Sequence, residues 1–223
     1  NQMRAAFYPS SNAAPADDRP SYYGSRCASL TAGGAAFVAA MAAARRLPAA
    51  ERASLVAARA RLEKVCANGE EARYAVYRRN AGGEVAAVPP LPDWPANIAS
   101  APGKAFLGYL QASDAFYGER WEEARGAFGG LVKAPDPWVA ETASYMLARI
   151  ELNAAMANAF DQYGSFDGIE KVDQQAVGRA AAGLAAYLKA WPNGRYAASA
   201  EGLKRRVLWL SGNGEAMAAE YVR

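Results

Sequence analysis

Cys27 and Cys66 are the two cysteines of the 223-residue chain, and a disulfide between them is the covalent chemistry the sequence most directly offers. The other reactive groups are defined by what they lack. There is no histidine, so a Ser-His-Asp or Cys-His relay, a two-His zinc site and an imidazole base cannot be assembled from this chain. Neither a P-loop nor a GxGxxG turn after a strand occurs. Asp161, Asp167, Glu170 and Asp173 surround Gly164 and Gly168 and invite a calcium reading. Placing Gly168 at the sixth position of an EF-hand loop puts Tyr163 first and Gln174 twelfth, and neither is a carboxylate, so that loop is rejected. Glu122 and Glu123 are adjacent on a helix and point about 100° apart, which suits solvent or the helix dipole better than a paired acid and base. The expectation is no catalytic residue, no metal site and no cofactor.

The elements that must position the cysteines are helices. Alanine numbers 55, while Val, Ile and Thr number 12, 3 and 2, a balance that favours helix and excludes sheet-dominated folds. The predicted fold class is all-α. Gly24 to Arg46 and Ala49 to Ala67 read as an N-terminal helical hairpin within residues 23–68, turned at Leu47-Pro48, with Leu55, Leu62 and Val65 on its buried stripe. The two cysteines lie at similar distances on either side of that turn, so an antiparallel pair brings them level at its open end. The expected bridge closes a 40-residue loop and restrains the unfolded chain by up to roughly 4 kcal/mol. The alternative is a pair of reduced, buried cysteines. A bridge places the protein in an oxidising compartment, a bacterial periplasm or the cell exterior.

Residues 1–22 read as an extended leader, and the start at Asn1 fits either a mature chain or a trimmed one. The longest apolar run, Ala35 to Ala44, is too short to span a bilayer, so no transmembrane segment is expected and any membrane association would pass through partners. Residues 1–80 carry net charge +6 and residues 81–223 carry −3. Alanines interleave with the basic residues at helical spacing, which describes a solvated helix face, and no nucleic acid is expected as a partner. Residues 69–103 form a proline-rich connector, with five of the 12 prolines between Pro89 and Pro102.

From residue 104 to 223 the chain takes up a helix-turn-helix rhythm. Expected helices are Lys104 to Tyr117, Trp121 to Lys133, Trp138 to Phe160, Ile169 to Ala190, Arg195 to Leu210 and Glu215 to Arg223, the last reading as a capping helix or as the opening of a further repeat. Ala124, Phe128 and the following Pro135 have the small, aromatic and proline pattern of a tetratricopeptide repeat. Ala186-Tyr-Leu-Lys-Ala-Trp-Pro-Asn-Gly-Arg-Tyr-Ala197, with Ala198, Ala200, Leu203 and the close on Leu210-Ser-Gly-Asn213, resembles the tetratricopeptide-like units of the bacterial outer-membrane assembly lipoprotein family. Phe116-Tyr-Gly-Glu-Arg-Trp-Glu-Glu-Ala-Arg-Gly-Ala-Phe128 and Ala143-Ser-Tyr-Met-Leu-Ala-Arg149 match the preceding unit of the same pattern. The resemblance implies an α-solenoid and a scaffold-like role at the cell envelope.

Stacked helix pairs build a concave face suited to extended peptides. The candidate partner-binding residues are the aromatics Tyr109, Tyr117, Trp121, Tyr145, Trp191 and Tyr196. The expected function is a non-enzymatic, exported scaffold or adaptor that binds a protein or peptide. The alternative is an accessory helical domain of a larger cell-envelope enzyme.

Overall fold

Polar and glycine punctuation cuts the alanine-rich chain into helices, and the computed structural model describes residues 26–79, 93–160 and 165–221. The helices are α1 (Arg26–Ala32), α2 (Gly34–Ala43), α3 (Ala49–Arg79), α4 (Ala101–Tyr117), α5 (Trp121–Leu131), α6 (Pro137–Ala155), α7 (Gln174–Ala190), α8 (Ala197–Leu210) and α9 (Gly214–Tyr221), with a 3-10 turn at Ile169–Lys171. The leader and most of the proline run lie outside the described residues. Among the described residues no helix is long and apolar enough to cross a membrane.

The predicted bridge is present. Cys27 and Cys66 are disulfide-bonded, with their Cα atoms 5.8 Å apart, and tie α1 to α3. The first helix of the hairpin departs from expectation: it is broken at Gly33 rather than continuous from Gly24 to Arg46. The buried Arg59 of α3 fills the inside of that bend. Its Nη2 donates to the Leu30 carbonyl, its Nε donates to Glu63 at 3.0 Å, and its guanidinium lies over the Phe37 ring. A Cβ on Gly33 would stand 3.4 Å from Arg59 Nη2, in ordinary contact, so the kink falls at a glycine pair that the guanidinium packs against.

The second helix is longer than expected. Rather than stopping at Ala67 before a connector, α3 runs through Gly69 to Arg79. One glycine costs a helix only about 1 kcal/mol, which the helix formers on either side offset. The connector is therefore shorter than residues 69–103, since α4 also begins at Ala101. Glu51 joins α3 to that start. Its buried carboxylate accepts from Ala99 N (3.1 Å), Ser100 N (3.0 Å) and Ser100 Oγ (2.5 Å), while Ser100 Oγ accepts from Gly103 N (3.0 Å) to cap α4. These bonds, the one from Ser100 Oγ foremost, hold the Glu51 carboxyl below its ordinary pKa.

Side-chain caps likewise reset two later helices. Asp136 accepts from Trp138 N and Val139 N and starts α6, and Asp173 accepts from Gln175 N and Ala176 N and starts α7 five residues after the expected Ile169. At its other end α6 stops at Ala155 rather than Phe160, with Asp173 N donating to the Ala155 carbonyl. Helix α5 ends two residues early, after Gly129-Gly130.

Consecutive helices pack on one another along the chain. Ala124 and Ala143 are fully buried, and Ala148 meets Gly183 so closely that a Cβ on the glycine would stand 3.0 Å from the alanine Cβ. Small residues thus set the helix spacing that the alanine content foreshadows.

Alternate helices also meet. Phe37 of α2 packs on Phe106 and Tyr109 of α4 and on Trp138 of α6, and Tyr145 of α6 stacks on Tyr196 at the head of α8. On the other side of α6, the buried Glu151 receives Arg125 of α5 at 2.5 Å and Arg179 of α7 at 2.7 Å. Helix α6 therefore turns one side to α2, α4 and α8, and another to α5 and α7.

Candidate functional site

Trp138, Thr142, Tyr145 and Arg149 are spaced four, three and four residues apart, which aligns them on one face of α6. That face carries most of the polar and aromatic contact between α6 and α8. Thr142 Oγ1 lies 3.0 Å from Tyr196 Oη, and Tyr145 Oη lies 2.6 Å from Ser199 Oγ. The Tyr145 and Tyr196 rings stack with centroids 4.5 Å apart at 4°. Both polar pairs span 54 residues, so the start of α8 runs parallel to α6 at these two positions.

At the head of this face the Trp191-Pro-Asn-Gly-Arg-Tyr196 turn is fastened to Glu141. The buried carboxylate accepts from Tyr187 Oη at 2.9 Å and from Arg195 N at 2.6 Å, and Tyr196 N donates to Tyr187 Oη at 2.9 Å. Burial, together with the neighbouring Glu141 carboxylate, pushes the Tyr187 phenol up to about 12. Burial does the same to Tyr196, also to about 12, so both remain neutral hydrogen-bonding groups at ordinary pH. Gly194 is required by closeness rather than by backbone conformation. A Cβ there would lie 2.6 Å from both Trp191 Cβ and Tyr187 Oη. The turn borders an open recess of about 480 Å³ between Glu141, Trp191 and Arg195. The Arg195 guanidinium reaches over Trp138, 5.6 Å from the ring centroid.

The six aromatics expected to bind a partner do not form one surface. Tyr145, Trp191 and Tyr196 come together with Tyr187, whereas Tyr109 and Tyr117 lie deeper, against α1 and α2. Trp121 stands apart at the start of α5, edge-on to Phe116. Three of the six are core residues: Tyr109, Tyr117 and Tyr145 are 9%, 8% and 5% exposed. Phe37 stacks on Tyr109, Ser29 hydrogen-bonds Tyr117 at 2.8 Å, and Tyr196 covers Tyr145. Trp121, Trp191 and Tyr196 remain partly exposed.

Sequence reasoning overlooked Arg149, Arg195, Glu141 and Ser199. The four-three-four spacing along α6 was available as a signal. The partner stripe on α8 becomes visible only once the register between the two helices is known.

Of the acidic residues around Gly168, Asp161 lies outside the described residues and Asp173 serves as the α7 cap. Glu122 and Glu123 pair within their own turn with Arg125 and Arg120. A separate apolar groove of about 280 Å³ lies between Phe166, Ile169 and Trp209, all of them exposed. Comparison with protein-family models, with curated proteins and with solved structures found no match to this chain.

Proposed function

We propose that the chain is a non-enzymatic scaffold or adaptor of a bacterial cell envelope, holding a protein or peptide partner on the face shared by α4, α6 and α8. The observation that carries this reading is the rim of Trp191, Arg195 and Tyr196, partly or fully exposed and fastened through Glu141 beside an open recess at the head of the α6 and α8 contact. A rim of rigid rings beside a guanidinium suits an extended peptide, because rings add contact area at small entropic cost and the polar group fixes its register. Sequential helix packing and the fastened aromatic-Pro turn support a tetratricopeptide-like array and its resemblance to the outer-membrane assembly lipoprotein type. The Cys27–Cys66 bridge supports an oxidising compartment.

Affinity purification of the tagged protein from its native envelope, with mass spectrometry, tests this reading. A defined partner should be recovered with the unaltered chain and lost with Trp191→Ala or Tyr196→Ala, while helical circular dichroism is retained. Equal recovery of that partner with both variants would contradict it.

A further inference from the structure

We propose that Arg149 is the seat for a carboxylate side chain of the bound peptide, which deepens the reading of the α4/α6/α8 face and rests on it. Four other arginines of the helical array are each committed to a carboxylate. Arg120 lies 2.6 Å from Asp114, Arg125 2.5 Å from Glu151, Arg179 2.7 Å from Glu151 and Arg195 3.7 Å from Glu141. Arg149 has no such partner among the described residues. Its side-chain polar contact is from Nη1 to the Met146 thioether at 3.7 Å, a weak acceptor for a group with five N–H donors.

The neighbouring hydroxyls are already engaged, Tyr145 with Ser199 and Tyr117 with Ser29. What holds Arg149 is its flat face. The guanidinium carbon stands 5.1 Å from the Phe116 ring centroid and 5.9 Å from that of Tyr145, and both rings are buried. A guanidinium fixed against electron-rich rings keeps its N–H edge for a planar acceptor, and a carboxylate matches that fork with two parallel hydrogen bonds. Arg149 is itself partly exposed and has no nitrogen that is both buried and without a partner, so its free N–H edge faces solvent.

Titration of the whole chain with an acetylated, amidated hexaglutamate peptide, followed by NMR of the arginine Nε–Hε groups, tests the seat. The Arg149 signal should shift saturably with hexaglutamate and stay still with hexaglutamine. Arg149→Met should weaken hexaglutamate binding roughly fivefold or more, while Lys189→Met, which removes an equal charge from an exposed site on α7, leaves it within about twofold. Thermal unfolding of each variant reports whether it is folded.

An unmoved Arg149 signal, equal affinity in folded Arg149→Met, or the same shift from inorganic phosphate at equal concentration would overturn the proposal. Envelope purification with Arg149→Met separates the two claims. A partner lost with Tyr196→Ala but kept with Arg149→Met overturns the seat and leaves the face standing. Hexaglutamate binding at Arg149, with the envelope partner indifferent to every substitution on the face, shows a carboxylate-binding arginine but overturns the face and with it the seat's use by that partner.

Discussion

Glu151 shows how a single buried carboxylate sets the spacing of three helices. Burial raises its pKa, but hydrogen bonds from Arg125 and Arg179 outweigh that effect and hold it below its ordinary value. A lowered folded-state pKa stabilises the fold above the unfolded value, near 4.3 for glutamate, and that contribution is lost as pH falls through the folded pKa. Glu51 carries the same sign. The urea midpoint should therefore stay level from pH 7 to about 5 and fall below about 4. Glu151→Gln should lower stability at pH 7 by about 2 kcal/mol and flatten the acid limb. A variant whose acid limb matches the unaltered protein would contradict this.

Two glycines should respond with opposite signs. Gly194→Ala forces a Cβ against Trp191 and Tyr187 and should cost about 1–3 kcal/mol. Gly126→Ala, inside α5 with open space around it, should add about 0.5–1 kcal/mol. Chemical denaturation of the pair measures both. The sequence separates a turn glycine at 194 from a helix-interior glycine at 126, but the crowding that sets the sign at Gly194 comes from Tyr187 and Glu141 on neighbouring helices.

Among the elements, the N-terminal hairpin depends most on a covalent tie. Leu55 and Leu62 fill its buried stripe as their spacing predicts, while Val65 is only half-buried. Replacing both cysteines with alanine should lower stability by up to about 4 kcal/mol. Hydrogen exchange should show the loss concentrated in α1 and α2, with α6, α7 and α8 retaining their protection. Uniform loss along the chain would show instead that the hairpin is not a separate cooperative unit.

The bridge was legible because two cysteines flanking one turn leave a single pairing. The kink at Gly33 was not read, and the Arg59 side chain that meets the Leu30 carbonyl there comes from a residue distant in sequence. Helix starts were mislaid for a related reason. Asp136 and Asp173 are caps only when their side chains turn back onto the following amides, and that geometry is not written in the residue types.

At the scale of the whole molecule, helices meet their chain neighbours through small residues, rings and ion pairs alike, and meet their alternate neighbours through aromatic rings. The first relation was readable from composition and turn spacing. The second was not, and for that reason the six aromatics divide between core and surface: α2 covers Tyr109 and Tyr196 covers Tyr145. The partner is expected along α4, α6 and α8 and not on the opposite side of the array. Photocrosslinking in the native envelope tests it most directly, with benzoylphenylalanine placed singly at Gly202 on α8, Gly129 on α5 and Gly178 on α7, each exposed with nothing within 4 Å of a Cβ. One defined adduct is expected from Gly202 and none from Gly129 or Gly178. Adducts from Gly129 or Gly178 with none from Gly202 would contradict it.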